Sequence, residues 1–262
     1  MPGVSAGPPR ALKYLSLFSG CGALDYALPW CTPVAYCELE AEAAKVLEAR
    51  IADGGLPKAP IFQDVRSLTR CELQKLGGPG IEIIVAGFPC VDLCKAGRRL
   101  GVQGSESTLV WEVLRIAREA DINMIFFKNV DNFRFMTVFW KAVLCELLKL
   151  GFVTTWVSLS ATHIGSPQRR RRVFMLARRG PGLETPIGPA LPRRASGVSA
   201  DARLPSVCHQ KGIAFNFGRP PPSQWMVTHD VYMQNRHRLK MLGNAVIPLQ
   251  AHLAARILST GP

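Results

Sequence analysis

Lys13-Tyr14-Leu15-Ser16-Leu17-Phe18-Ser19-Gly20-Cys21-Gly22 decides the reading of the fold. Residues 13–18 are apolar-rich and short enough for a strand, and residues 19–22 carry two glycines for a tight turn. Residues 23–28 begin a helix that Pro29 limits. Strand, glycine-bearing turn and helix, in that order, is how doubly wound α/β folds bring backbone close to a bound nucleoside. Glycine permits the approach because it has no Cβ. The spacing is not Gly-x-Gly-x-x-Gly, which argues against a nicotinamide cofactor and a hydride-transferring oxidoreductase.

The pattern continues outward. Residues 34–38 read as a strand ending in an acid, and 40–50 as a helix of good helix formers stopped by Asp53-Gly54-Gly55. Residues 61–65 read as a short edge strand carrying Asp64, and 81–86 as a fully buried strand. Residues 108–119 form an amphipathic helix, 123–127 a buried strand, and 137–150 a helix closed by Gly151. Residues 152–159 and 172–177 are further strands, and helical periodicity returns over 247–258. Strands alternating with helices predict an α/β fold with a mainly parallel, doubly wound sheet. Residues 180–222 break the pattern, being rich in Pro, Gly, Ser and Arg. They read as a linker or disordered loop, or equally as a small irregular insertion that touches a ligand. There is no internal repeat.

Composition narrows the partner. Of 262 residues, 32 are Lys or Arg and 19 Asp or Glu, a formal charge of +13. The excess favours a polyanion, nucleic acid first. It clusters in the second half: Arg169 to Arg172 are consecutive, followed by Arg178-Arg179, Arg193-Arg194 and Arg236-His237-Arg238. No apolar run of about 18 residues exists, so no membrane span is expected. Residues 1–10 lack a signal-peptide core and read as a disordered lead-in, so an intracellular protein is expected, cytoplasmic in a prokaryote or virus-infected cell and nuclear in a eukaryote. The eight cysteines are scattered, with no Cys-x2-Cys pair and no histidine pair at zinc spacing. Free thiols, no metal and a monomer are the expectation.

The chemistry concentrates at the ends of strands. Gly87-Phe88-Pro89-Cys90 follows the apolar Ile83-Ile84-Val85-Ala86 and sets a cysteine just past the strand's carboxyl end, where reactive groups gather in open α/β sheets. Alone, Cys90 reads as well as a buried or incidental thiol. Glu38, ending the second strand, is placed to accept from ribose hydroxyls, and Asp64 from an adenine amino group. Each acid alone reads as a solvated surface carboxylate; together with the glycine turn they read as a pocket.

Four blocks in order carry a resemblance: Leu17-Phe18-Ser19-Gly20-Cys21-Gly22, Gly87-Phe88-Pro89-Cys90, Gln168-Arg169-Arg170-Arg171-Arg172 and Gly243-Asn244-Ala245-Val246. They resemble the signature blocks of the DNA (cytosine-5) methyltransferases, and the likeness covers residues 12–177 and 236–258. It implies a class I, Rossmann-like methyltransferase using S-adenosylmethionine, with catalytic residues 11–178, a small target-recognition region at 179–235 and a return to the catalytic domain at 236–262. By that match Phe18, Gly20 and Gly22 line the cofactor, Glu38 binds its ribose, Asp64 and Val65 flank its adenine, and Pro89, Leu109, Asn244 and Val246 complete the pocket. Phe215, Phe217 and Trp225 suggest a small hydrophobic anchor in the recognition region.

The same match makes Cys90 the nucleophile that adds to carbon-6 of cytosine, rendering carbon-5 enamine-like so that it attacks the sulfonium methyl. Gln168, Arg170 and Arg172 match the Gln-x-Arg-x-Arg motif that braces the loop and assists at O2. The base must leave its duplex to reach the thiol. Double-stranded DNA is the implied partner. RNA is the alternative, because one branch of the family methylates tRNA.

One departure is catalytic. Lys128-Asn129-Val130 stands where the family has Glu-Asn-Val. A charged lysine donates but cannot accept, so it opposes negative charge at N3 or O2 yet faces the cytosine amino group donor to donor. An ordinary lysine pKa of about 10.4 also makes it a weak acid for this task, unless burial lowers it. Three explanations fit: an inactivating change in a competent enzyme, a pseudoenzyme that binds cofactor and DNA, or a modified and slower mechanism. Val91 and Cys94 are lesser loop variations.

Overall fold

The computed structural model describes residues 11–89, 109–166, 170–179, 193–194 and 246–260. β1 (Leu12–Leu17) is the strand on which the sheet is built, pairing in parallel with β2 (Cys31–Cys37) on one side and β4 (Ile83–Ala86) on the other. β3 (Ile61–Phe62) extends the sheet beyond β2, and β5 (Met124–Val130) lies parallel to β4. Beyond β5 the direction reverses. β7 (Arg171–Arg178) is inserted antiparallel between β5 and β6 (Val153–Ser160). A two-residue β8 (Arg193–Arg194) pairs parallel with β6, and the order is β3-β2-β1-β4-β5-β7-β6-β8.

Helices cover both faces, which is why β4 is apolar and buried at all four positions. With the strand period of two, Leu15, Leu17, Ile84, Ala86, Ile125 and Phe127 face one layer. That layer is α3 (Arg70–Lys75), α4 (Leu109–Glu119) and α5 (Thr137–Lys149). The alternate residues Tyr14, Ile83, Val85, Phe126 and Phe174 face α1 (Ala23–Tyr26) and α6 (Pro248–Thr260). α2 (Ala41–Ala52) inserts Leu47 against Tyr36 and Leu56. No helix among the described residues is long and apolar enough to cross a membrane.

The sequence expectation of a mainly parallel α/β sheet holds, with β7 the antiparallel exception. Three local differences have physical causes. β2 begins at Cys31, three residues before the expected start at 34, and runs through Pro33 by a register shift: Tyr14 pairs with Pro33 but Leu15 with Ala35, leaving Val34 as an extra residue. A proline cannot donate to the ladder, and a bulge accommodates it. β3 stops at Phe62, short of the expected 65, because the Asp64 carboxylate accepts from Arg66 N at 2.9 Å and starts a single 3-10 turn over Val65–Ser67. α3 was not expected; it is six residues long, with Thr69 Oγ1 accepting from Glu72 N and Leu73 buried. Residues 1–10 and nearly all of 179–235 lie outside the described residues, apart from Arg179 and β8.

A buried acid sits under the first turn. Asp25 in α1 is 3% exposed. Burial pushes its carboxyl up to about 6; the Ser16 and Tyr14 hydroxyls pull it back only in part, and neither completes a well-formed hydrogen bond to it. The unfolded chain ionises Asp25 near 3.8, so the folded state holds its proton more tightly and stability is lost as pH rises through about 6. Asp25→Asn removes that cost. Denaturant unfolding is expected to show a gain on the order of 2–3 kcal/mol at pH 8 and little at pH 4. An equal gain at both pH values would contradict a buried, ionising carboxyl.

Candidate active site

The turn after β1 is held by its neighbour strand. Ser19 N donates to Cys37 O at 3.0 Å, and Ser19 Oγ accepts from Cys37 N at 3.2 Å. Glu38, 8% exposed at the end of β2, joins both segments: its Oε2 accepts from Gly20 N at 2.6 Å and its Oε1 from Glu40 N at 2.8 Å. Two left-handed glycines shape the turn for different reasons. A Cβ on Gly22 (φ 76°) would lie 2.3 Å from Leu56 Cδ1, whereas one on Gly20 (φ 59°) would meet nothing within 4 Å. Gly20 thus leaves open space beside a carboxylate. Phe18 itself takes φ 56°, a strained value for a side-chain-bearing residue of the kind that clusters at functional sites.

The described residues expected to line the cofactor pocket divide between the two faces of the sheet. Phe18 and Leu109 pack against one hydrophobic cluster that contains Val65 and Phe88, while Val246 belongs to the cluster on the opposite face. Burial, then Glu38 and Asp64, push the Cys37 thiol up to about 12, so both acids crowd the end of β2. Asp64 is also bound by Arg66, whose Nε lies 3.0 Å from Oδ1, and that contact holds its carboxyl below the usual range. Two carboxylate acceptors and an open glycine turn fit a nucleoside with a diol and an exocyclic amine. Asn244, expected in the same pocket, lies outside the described residues.

The second half of the site follows β4 and β5. Gly87 N donates to Leu17 O at 3.3 Å, and Phe88 is anchored edge-on against Phe127 and Phe133 at centroid distances of 5.9 and 5.4 Å. Asn129 binds this turn by donating from Nδ2 to Phe88 O at 3.3 Å, while its Oδ1 accepts from Val130 N. Phe133 was not among the expected site residues; its packing against Phe88 is a tertiary contact that no sequence spacing announces. Pro89 ends the described part of this turn, and Cys90 and Gln168 lie outside it.

Lys128 lies inside β5, one residue past the expected end of that strand at 127, and is 8% exposed. A Cβ on Gly87 would stand 4.0 Å from Lys128 Nζ and 3.8 Å from Phe18 O, so the amine sits where the turns after β1 and β4 meet. Pairing with β7 brings two arginines to it: Lys128 faces Phe174, and Val130 faces Arg172. Burial, then Arg172, then Arg170 push the Lys128 ammonium down to about 7, with Cys21 opposing them. Arg170 is itself lowered by burial. A lysine poised near neutrality donates a proton far more readily than an ordinary one, and its neutral amine also accepts.

The chain matches the profile of the family described as C-5 cytosine-specific DNA methylase over residues 12–189. It is 31% identical over 168 residues to the type II methyltransferase M.CviJI of Paramecium bursaria Chlorella virus IL3A, covering 64% of this chain and 43% of that protein. It is 30% identical over 174 residues to M2.BsuMI of Bacillus subtilis (strain 168), covering 63% of this chain and 42% of that protein. The chain therefore spans less than half the length of these relatives. A crystal structure of a Spodoptera frugiperda DNMT2 mutant shares its fold, with a TM-score of 0.53 and 22% identity over 67% of this chain and 52% of that one.

The Lys128 environment has a thermodynamic signature. Its folded pKa of about 7 lies below the ordinary 10.5, so between those values the unfolded chain binds the extra proton and stability rises with pH. Below about 7 the folded state bears the whole cost of a buried cation. Lys128→Met, which keeps length and drops charge, is expected to raise unfolding free energy at pH 6 by about 3–5 kcal/mol, the gain fading toward pH 10. A pH-independent effect in chemical denaturation would show that Lys128 is not buried as a titrating amine.

Proposed function

The chain belongs to the C-5 cytosine-specific DNA methylase family, and from that premise we propose that it methylates carbon-5 of cytosine in double-stranded DNA, slowly, with Lys128 in the proton-donating position. S-adenosylmethionine, when bound, supplies the sulfonium methyl. Phe18, Gly20, Gly22, Val65, Pro89, Leu109, Asn244 and Val246 line its pocket, Glu38 accepts from the ribose, and Asp64 accepts from the adenine amine.

The Cys90 thiolate adds to carbon-6 of a cytosine extruded from the duplex. The electron pair moves toward N3 and O2 and leaves carbon-5 nucleophilic. Lys128 donates to N3, and Arg170 and Arg172 offset charge at O2, with Gln168 bracing their loop. Asn129 holds the Phe88 carbonyl, and with it the turn that leads to Cys90. Carbon-5 takes the methyl as the methyl's bond to sulfur breaks, releasing S-adenosylhomocysteine. Solvent then removes the carbon-5 proton, the electron pair re-forming the ring double bond and expelling the Cys90 thiolate while N3 returns its proton to Lys128. Residues 179–235 form the recognition region, and the chain re-enters the catalytic domain at 236–262.

The observation that carries this reading is the convergence of Lys128 Nζ, the Gly87-Phe88-Pro89 turn and the arginine-bearing strand β7 at the edge where β1, β4 and β5 end. The same lysine favours a second reading, a protein that binds cofactor and DNA without turnover, because a cation cannot accept from the cytosine amine while it keeps its charge.

Transfer of labelled methyl groups from S-adenosylmethionine to mixed-sequence duplex DNA separates the two, with tRNA as a parallel substrate. The unaltered chain is expected to give a weak signal abolished by Cys90→Ala. Lys128→Glu is expected to raise it by roughly 10²–10⁴, the usual worth of a well-matched general acid. The rate of the unaltered chain is expected to fall as pH rises past about 7, where Lys128 loses its proton, and that limb should vanish in Lys128→Glu. Cofactor binding with no transfer by either protein would favour the binding role, and transfer to tRNA alone would reassign the polymer.

A further inference from the structure

α6 carries one polar side chain that does not belong to an apolar helix face. Gln250 is 0% exposed, among Ala251, Ala254, Ala255 and Leu258 of the same helix. Its Nε2 donates to Leu159 O at 2.8 Å and to Arg170 O at 3.1 Å. The first carbonyl belongs to β6 and the second immediately precedes β7. Two carbonyl acceptors fix the orientation of the amide, since the opposite rotamer would set oxygen against oxygen. Gln250 Oε1 has no hydrogen-bond partner among the described residues, so the side chain is held by its donor end alone. Arg170 O also accepts from Ala161 N at 2.9 Å. The backbone of Arg170 is therefore gripped from two directions, by the chain leaving β6 and by the C-terminal helix.

We propose that Gln250 is a positioning residue that fixes Arg170 at the entry of β7 and thereby sets the arginines beside Lys128. The proposal rests on the reading of Arg170 and Arg172 as base-facing groups. Gln250 touches neither base nor cofactor. It acts through the Arg170 carbonyl, and its helix follows directly on the Gly243-Asn244-Ala245-Val246 segment assigned to the cofactor pocket. One C-terminal element would then serve both halves of the site.

The test reads Lys128 itself. The charges acting on that amine are Arg172 from β7, Arg170 from the residue just before it, and Cys21 from the turn after β1. Gln250→Met keeps the volume and removes the donors. With Arg170 released, the Lys128 side-chain resonance in protein carrying 13C-labelled lysine should titrate about 0.5–1 unit higher than in the parent, because a like charge has moved away. Methyl transfer should fall roughly tenfold through kcat, as expected for misplaced catalytic groups, with the dissociation constant of S-adenosylmethionine unchanged within about twofold. A folded Gln250→Met protein whose Lys128 midpoint does not move would overturn the proposal, as would a kcat loss matched by the unfolded fraction. Should the Met variant fail to fold, Gln250→Asn, an amide too short to span both carbonyls, takes the same titration. Silence of both the parent and Lys128→Glu toward DNA would remove the functional reading but not this one, because the titration needs no substrate.

Discussion

Antiparallel pairing of β7 with β5 puts the start of one strand beside the end of the other, and the site depends on that reversal. In a wholly parallel sheet each strand delivers only its last residues to the carboxyl edge. Here β1, β4 and β5 deliver their ends, with the glycine turn, the Gly87-Phe88-Pro89 turn and Lys128-Asn129-Val130, while β7 delivers its beginning. Arg170 and Arg172 reach the same edge without a long loop to carry them. The ladder that builds the core also sets the register of the charges, since Arg172 is placed by its pairing with Val130 on one side and Leu159 on the other.

That placement concentrates positive charge in a region with little water. A lone buried ammonium resolves its desolvation by giving up a proton, and two nearby guanidiniums press it the same way. Lys128 is brought near neutrality by the groups expected to act with it. Asp25, in α1 on the same face of the sheet, shows the complementary response: a buried carboxyl retains its proton. The two groups pull stability in opposite directions as pH changes, the lysine costing most in acid and the aspartate most in base.

Much of the architecture was legible because it follows from periodicity. The apolar runs at Ile83–Ala86 and over 124–127 announce strands covered on both faces, and the glycine turn announces the carboxyl edge of the sheet. What was not legible is what tertiary contact decides. Pro33 argues against strand at its own position, and only the paired register reveals that a bulge absorbs it. Arg70–Lys75 is too short for a helical pattern to stand out. Lys128 is recognisable by motif position, but its burial and its arginine neighbours arise from β7, more than forty residues downstream. Gln250 gives no signal in one dimension, because a single glutamine in an alanine-rich helix reads as surface. Glu38 lies just past the end of β2 as read, whereas Asp64, read within a strand over 61–65, instead caps the turn after β3; their present partners, backbone amides for Glu38 and Arg66 for Asp64, are set by turns that residue type alone does not specify.

The bulge at Val34 has a consequence beyond the proline that it accommodates. Side chains alternate along a strand, so one surplus residue exchanges the faces of everything after it. After the bulge, Leu17 pairs with Cys37, and Glu38 arrives at the turn with its carboxylate on the Gly20 amide. β2 therefore carries a parity. Insertions or deletions of two residues upstream of Ala35 preserve it, while changes of one reverse it, leaving a strand that still pairs but presents its acid to the wrong side. Sheet and pocket are thus subject to different arithmetic: the sheet counts hydrogen bonds, and the pocket counts odd and even.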